Sequence, residues 1–356
     1  MLRNSTLEIA LARARPQIQD LSTDTIAELA NLASKLEGVI PLWYGEGDMP
    51  TPAFVGDAAK AAIDRGVDFY IPDMRGYGPL VDALESYQSR LLGRPFARDR
   101  TTVTPGGMQA LYLALSMTVD MATNVIVPEP QWPNIKRTVH AVGGEPRPVP
   151  MTYAGGAWRL DLDRIFAATD ARTRAIVLSS PSNPLGWVAS ANELSALVEF
   201  SRRRGLWIIS DECYNRLYFK APGVAPSILA HAEPEDLVMT VNTFSKAWAM
   251  TGWRIGWLTH PPSLAGKAGA MTQYMNSGTS GIMQAAAAAA MNDGEATVAA
   301  IRDRCRDGRD IVYEALDGVE AFELPTKPAG GMYVFFSLRG VEDSGAACRR
   351  VLEQAR

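Results

Sequence analysis

RAIVLSSPSNPLGWVASANELSALVEFSRRRGLWIISDECY, Arg174 to Tyr214, decides how this chain is read. It opens on an apolar run (174–180), turns through PSNPLG, and continues as NELSALVEFSRRR with apolar residues at three- and four-residue spacing. Gly205 then follows three arginines, as at a helix C-cap with basic residues in its last turn. A second apolar run, LWIIS (206–210), ends the unit. Runs of four to eight apolar residues are strand-length, and the intervening spacing is helical. The same alternation extends outward. Strands are predicted at 101–104, 124–127, 237–241 and 254–259, with helical segments such as MQALYLALSMTV between them. Buried strands alternating with helices predict an α/β fold: a three-layer α/β/α domain around a mostly parallel sheet.

Ligands of such sheets sit outside the carboxyl ends of the strands. Those ends carry Gly106-Gly107-Met108, Gln131-Trp132, Ser182-Asn183-Pro184, Asp211-Glu212-Cys213-Tyr214 and Thr243-Phe244-Ser245-Lys246. A glycine pair between strand and helix frees N–H groups at a positive helix end, which suits a phosphate; a plain tight turn is an equal reading. Asp211 ends an apolar strand, where a carboxylate is costly unless paired. It can hold a proton on a ring nitrogen or cap a helix. Tyr214 and Asn183 can hydrogen-bond a phenolic oxygen, or serve packing and turn chemistry. Trp132 offers a flat stacking face or fills core. Lys246 is a solvated lysine or a desolvated amine of lowered pKa, a nucleophile toward carbonyls. Arg254 can be the neighbouring cation and can grip a phosphate bidentately, with Thr243 and Ser245 adding hydroxyls. Together these groups ask for a phosphate, a protonatable ring nitrogen, a phenolic oxygen and an aldehyde on one ligand, which describes pyridoxal 5'-phosphate.

The bulk properties agree with an enzyme of small molecules. The 356 residues suggest two domains. Net charge is −4, with no basic stripe for nucleic acid. The longest apolar run, GIMQAAAAAAM, is too short to span a bilayer. Three scattered cysteines and three scattered histidines offer neither a disulfide framework nor a metal site. No secretory signal is visible, so a cytoplasmic location is expected. Residues 22–37 read as an amphipathic helix, with Thr25 and Glu28 at capping-box spacing. GGMYVFFSL, 330–338, reads as a strand.

The chain resembles the class I/II aminotransferases, fold-type-I pyridoxal-phosphate enzymes. The resemblance runs from about Thr25 to Val351 and rests on YGEGDMPTP, FYIPDMRGYGPLVDAL, VTPGGMQAL, SSPSNPLG, SDECY, FSKAWAMTGWRIGW and KPAGGMYVF. It implies a large domain over 45–290 and a smaller α+β domain from 1–44 and 291–356. It further implies that Lys246 forms the internal aldimine and shuttles the substrate proton. Asp211 would keep the pyridine nitrogen protonated, Tyr214 and Asn183 would bind the phenolic oxygen, and Trp132 would stack on the ring. Gly107 and Met108 amides, Thr243, Ser245 and Arg254 would hold the phosphate. Tyr70 would reach a neighbouring subunit's phosphate, implying a homodimer, and Gly45 and Asn183 would lie beside the substrate.

The sequence departs from this pattern in three ways. Gly47 follows GE where the family has proline. Trp132 stands where tyrosine is commoner. The family's carboxylate-binding arginine has no counterpart before Arg356, so the small domain is expected to be incomplete. The absence of Lys and Arg between Lys267 and Arg302 leans toward neutral amino donors. The expected reaction is ping-pong transfer of an amino group from an L-amino acid to a 2-oxo acid. A C–S or β-eliminating lyase and a non-enzymatic sensor domain are the alternatives.

Overall fold

The computed structural model describes residues 9–21 and 25–355. Two compact units emerge. The larger comprises 46–317 and 324–335; the described residues of the smaller are 9–21, 25–45, 318–323 and 336–355. The sequence reading placed 291–317 in the smaller domain. These residues group with the larger unit because Val298 and Ile301 are buried in a cluster with Trp248, Met291 and Trp257.

The larger unit is built on seven strands: β1 (Thr101–Thr104), β2 (Asn124–Glu129), β3 (Glu145–Pro150), β6 (Thr173–Ser179), β7 (Trp207–Asp211), β8 (Val238–Thr243) and β9 (Gly256–Thr259). A hairpin of β4 (Thr152–Ala154) and β5 (Ala157–Arg159) stands apart from them. The sheet order is β1-β9-β8-β7-β6-β2-β3. Only β9 runs against its neighbours, β1 and β8; the remaining pairs are parallel. The N-terminal end of β9 therefore lies at the edge where the other strands end. This is the α/β/α fold that the alternating pattern predicts.

The pleat explains why helices are needed on both faces. Side chains on a strand alternate between faces. Val125, Val127, Val177 and Ile209 share one cluster with the helices Gly107–Thr118 (α1) and Pro133–Val142 (α2). Ile126, Ile176, Leu178 and Ile208 share another with the helix Ala191–Arg204 (α3). The latter starts on a capping box between Ser190 and Glu193 and ends on Gly205 in the left-handed conformation. The Gly205 end was legible in the opening stretch; the Ser190 capping box was not read there.

Three sequence expectations need correction. β3 was missed because its sequence is EPRPVP. It is an edge strand, where proline is tolerated. Glu145 and Met151 donate their N–H groups toward β2, so with period two Pro146, Pro148 and Pro150 fall on the outward side. Arg254 was read as part of a strand. It precedes β9 in the left-handed conformation, φ 55°, and a hydrogen bond from its Nη1 to Thr251 O at 2.6 Å folds the side chain back. The stretch 330–338 was read as one strand. Gly330 instead forms an isolated bridge with Tyr218, and only Ser337–Leu338 (β11) pairs, with Phe322–Glu323 (β10). Gly331, at φ 83°, interrupts the extended run.

In the smaller unit, Thr25–Ala33 and Ser344–Gln354 are helices, the latter N-capped by Asp343. Thr25, expected to cap this helix in a box with Glu28, is instead its first helical residue, and Glu28 lies in the first turn; the preceding Ser22–Asp24 lie outside the described residues. Among the described residues no helix is long and apolar enough to cross a membrane, and no cluster of three potential metal ligands occurs.

Glu212, directly after β7, is buried, and its Oε1 accepts from Ile228 N at 3.0 Å and Ser210 Oγ at 3.2 Å. Burial raises its pKa from 4.5 to about 7. The folded chain therefore binds this proton more tightly than the unfolded chain. Its stabilisation is complete below about pH 4.5 and is lost as pH rises to 7. Glu212→Gln keeps the carbonyl acceptor without the charge. It is expected to melt higher than wild type at pH 8, by up to about 3 kcal/mol, with the gap closing toward pH 4.5. Parallel denaturant melts at the two pH values check this.

Candidate active site

The site begins where backbone meets backbone. Gly256, the first residue of β9, pairs with Thr104 on one side and Thr243 on the other. A Cβ on Gly256 would lie 2.6 Å from Asn242 O and 2.8 Å from Gly107 N, so only glycine lets these segments close. Gly106, at φ 87° and ψ 170°, caps α1 without any side-chain cap. That leaves the first N–H groups of a twelve-residue helix without a side-chain partner, at a positive helix end. A Cβ on Gly106 would collide with Nη2 of Arg254. The left-handed turn at Arg254 is thus what lays its guanidinium against the helix start.

Two hydroxyls complete this corner. Thr243 and Ser245 are buried, with their oxygens 2.8 Å apart. Ser245 N donates to Thr243 Oγ1 at 3.1 Å, and Arg254 Nη1 lies 3.4 Å from Ser245 Oγ. Main-chain N–H groups, a guanidinium and two hydroxyls converge on one spot, a combination that suits a phosphate dianion.

Lys246 follows on the same turn. It is half-buried, and its Nζ lies 5.9 Å from the ring centre of Tyr214. Burial lowers its pKa; Arg254 lowers it further, while Cys213, Glu46 and Asp211 oppose. Glu46 also accepts a short hydrogen bond from Thr251 Oγ1. Asp211 ends β7 and is buried, accepting from Cys213 N at 3.1 Å. Burial raises its pKa, against the opposing hydrogen bond from Cys213 and the charge of Lys246.

Tyr214 is buried, and burial holds its phenol well above the usual range. Its oxygen is 2.5 Å from that of Tyr333, which accepts from Asn183 Nδ2 at 3.0 Å. Met108 and Trp132 are partly buried against the same core cluster as Cys213. Of the residues singled out from sequence, Gly107, Thr243, Ser245, Arg254, Lys246, Asp211, Tyr214 and Asn183 thus line one edge of the sheet. Tyr70 does not join them: it is 80% exposed. Gly45 falls in the smaller unit.

Tyr333 and Cys213 escaped the sequence reading. Tyr333 lies in KPAGGMYVF, which was read only as part of the family resemblance and of an expected strand, with no role given to the tyrosine. Gly331 N donates to Leu217 O at 2.8 Å, and Phe219 N donates to Ala329 O at 2.9 Å. A Cβ on Gly330 would lie 2.8 Å from Leu217 O. This close pairing brings a residue 119 positions away in sequence onto Tyr214.

Comparison with known proteins follows the same line. The family of aminotransferase class I and II matches residues 38–355. The chain belongs to this family. It is 31% identical over 345 residues to a probable N-acetyl-LL-diaminopimelate aminotransferase of Bacillus subtilis, covering 93% of this chain and 86% of the relative. It is 30% identical over 343 residues to aromatic-amino-acid aminotransferase 2 of Thermococcus litoralis, covering 95% and 85%. The crystal structure of aspartate aminotransferase from Thermotoga maritima superposes with a TM-score of 0.89 at 28% identity, covering 96% of this chain and 89% of that one. The protein is a pyridoxal-phosphate-dependent aminotransferase of this class. These relatives do not favour the lyase alternative.

Gly106→Ala tests the backbone constraint. The backbone angles of Gly106 belong to a region open essentially to glycine alone, and strain there costs about 1–3 kcal/mol. Because the added Cβ also displaces Arg254, Gly106→Ala is expected to lower stability by at least that much and to weaken phosphate binding in the same protein. A denaturant melt and a phosphate titration check both. Gly252→Ala, in the turn that precedes Arg254 and with no atom within 4 Å of its added Cβ, serves as the control.

Proposed function

We propose that this enzyme transfers the amino group of a neutral L-amino acid to a 2-oxo acid by ping-pong half-reactions, with Lys246 as nucleophile and proton carrier. The observation that carries this is the company of Lys246: a desolvated amine beside a phosphate-shaped corner and a buried carboxylate, all at one sheet edge.

The residues fit the cofactor on their own chemistry. The corner of Gly107, Met108, Thr243, Ser245 and Arg254 would hold the phosphate. Asp211, buried with little else to offset its charge, would sit against the protonated ring nitrogen. Tyr214 and Asn183 would hydrogen-bond the phenolic oxygen, and Trp132 would cover the ring. Pyridoxal phosphate, when bound, supplies the aldehyde that condenses with amines and the ring that takes up electrons from the substrate Cα. Lys246 Nζ does the protein's share. With its pKa lowered, it is unprotonated in a larger fraction at neutral pH, able to attack a carbonyl and to take and return the Cα proton.

The substrate class rests on charge. The names of the relatives span aspartate, aromatic and diaminopimelate donors, so they do not select one. No Lys or Arg lies between Lys267 and Arg302 to meet a second carboxylate. Asn183 is read as lying beside the substrate.

A cytoplasmic homodimer with shared sites completes the proposal. Phe69, Tyr70 and Tyr274 are 83%, 80% and 80% exposed. Their segments pack together: Cβ atoms on Gly269, Gly278 and Gly281 would meet Arg75, Met74 and Ile71. Clustered exposed aromatics are the surface that partners cover.

With added cofactor, the wild type is expected to show a visible absorbance band that Lys246→Ala lacks. Neutral amino acids should bleach the band with release of the matching 2-oxo acid, whereas ammonia and pyruvate from cysteine would indicate the lyase. Sedimentation should give a dimer, with Tyr70→Phe remaining dimeric but releasing cofactor several-fold faster. A monomer that retains cofactor normally would contradict the shared site.

A further inference from the structure

Tyr333 has no part in the chemistry described above, yet its phenol stands at the centre of the site. Asn183 Nδ2 donates to its oxygen at 3.0 Å, and that oxygen is 2.5 Å from the hydroxyl of Tyr214. The two rings meet edge to face with centroids 5.6 Å apart. A phenol carries one proton and can also accept hydrogen bonds. Because Tyr333 receives the Asn183 N–H, its own proton is available for the oxygen of Tyr214. The proton of Tyr214 is then left to point elsewhere.

We infer that Tyr333 is a positioning residue: it accepts from Asn183, donates to Tyr214, and so turns the Tyr214 hydroxyl outward as a strengthened donor to the cofactor's phenolic oxygen. Hydrogen bonds in a chain polarise one another, so a hydroxyl that accepts becomes a better donor. The inference rests on the cofactor reading given above.

The surroundings keep both phenols protonated. Burial is the main cause, with the charge of Asp211 acting in the same direction on both; Tyr333 is pushed up to about 12. Lys246, after β8, is the cation nearest the Tyr214 ring among the contacts described. Asn183, after β6, adds no charge. Both hydroxyls therefore remain donors across the working pH range.

The test is a pH titration of the visible band of the cofactor-loaded protein. Donation to the phenolic oxygen favours its anionic form and lowers the midpoint of the proton shared with the neighbouring nitrogen. Tyr333→Phe keeps the ring but removes the relay, so the midpoint is expected to rise by about 0.2–0.7 pH unit. In a Tyr214→Phe background the same change should produce no further shift, since Tyr333 acts only through Tyr214. Incorporating 3-fluorotyrosine at position 333 sharpens the donor without changing its shape, and should move the midpoint down. That variant carries the test if Tyr333→Phe does not fold.

An unmoved midpoint, or the same shift with Tyr214 absent, would overturn the inference. So would an unmoved midpoint with tighter cofactor binding, because the Tyr333 oxygen would then be standing in the ligand's place. Failure of the underlying cofactor reading looks different: no band in the wild type, or a band retained in Lys246→Ala.

Discussion

The approach of Arg254 to the backbone of Gly106 is the contact on which the rest of the site depends. A guanidinium can lie there only because residue 106 has no Cβ and because residue 254 takes a left-handed turn before β9. Gly256 then lets β9 slot between β1 and β8. The antiparallel direction of β9 brings its first residues to the edge where β1 and β8 finish. One reversed strand thus adds Arg254 to a row of parallel strand ends that already carries Asp211 and Lys246.

That cation also acts on the lysine eight residues before it. Arg254 adds to the burial that lowers the Lys246 pKa, while Asp211 and Glu46 draw it back. The same corner that would bind an anion therefore conditions the nucleophile. The pKa of Asp211 moves the opposite way, because burial dominates the single hydrogen bond from Cys213 and the charge of Lys246. A bound ring carrying a proton would meet an acid whose charge is otherwise costly, which ties cofactor binding to the ionisation of the protein.

Most of the sheet was legible in the sequence because buried parallel strands are short, apolar and punctuated. β1 was read to the residue, and β6, β7 and β8 to within one or two at either end. The residues after those strands identified the cofactor for the same reason: polar groups at the end of an apolar run have few structural uses. What escaped had a physical cause in each case. The prolines of β3 disguise an edge strand. The turn at Arg254 depends on contacts with Thr251 and Ser245. Tyr333 reaches the site through glycine-mediated pairing between 329–331 and 217–219, a long-range contact with no local signature. The boundary near 317 depended on which core Val298 and Ile301 would join.

The prolines of β3 have one further effect. Strand addition to an exposed sheet edge needs a row of outward N–H donors, and here alternate positions have none to give. The rim of the sheet is chemically blunted: it offers carbonyls, but another strand cannot dock there with a full ladder. At this edge, copies of the chain cannot extend the sheet by an unbroken ladder. Contact between them is left to side chains, whose shapes can specify where it stops.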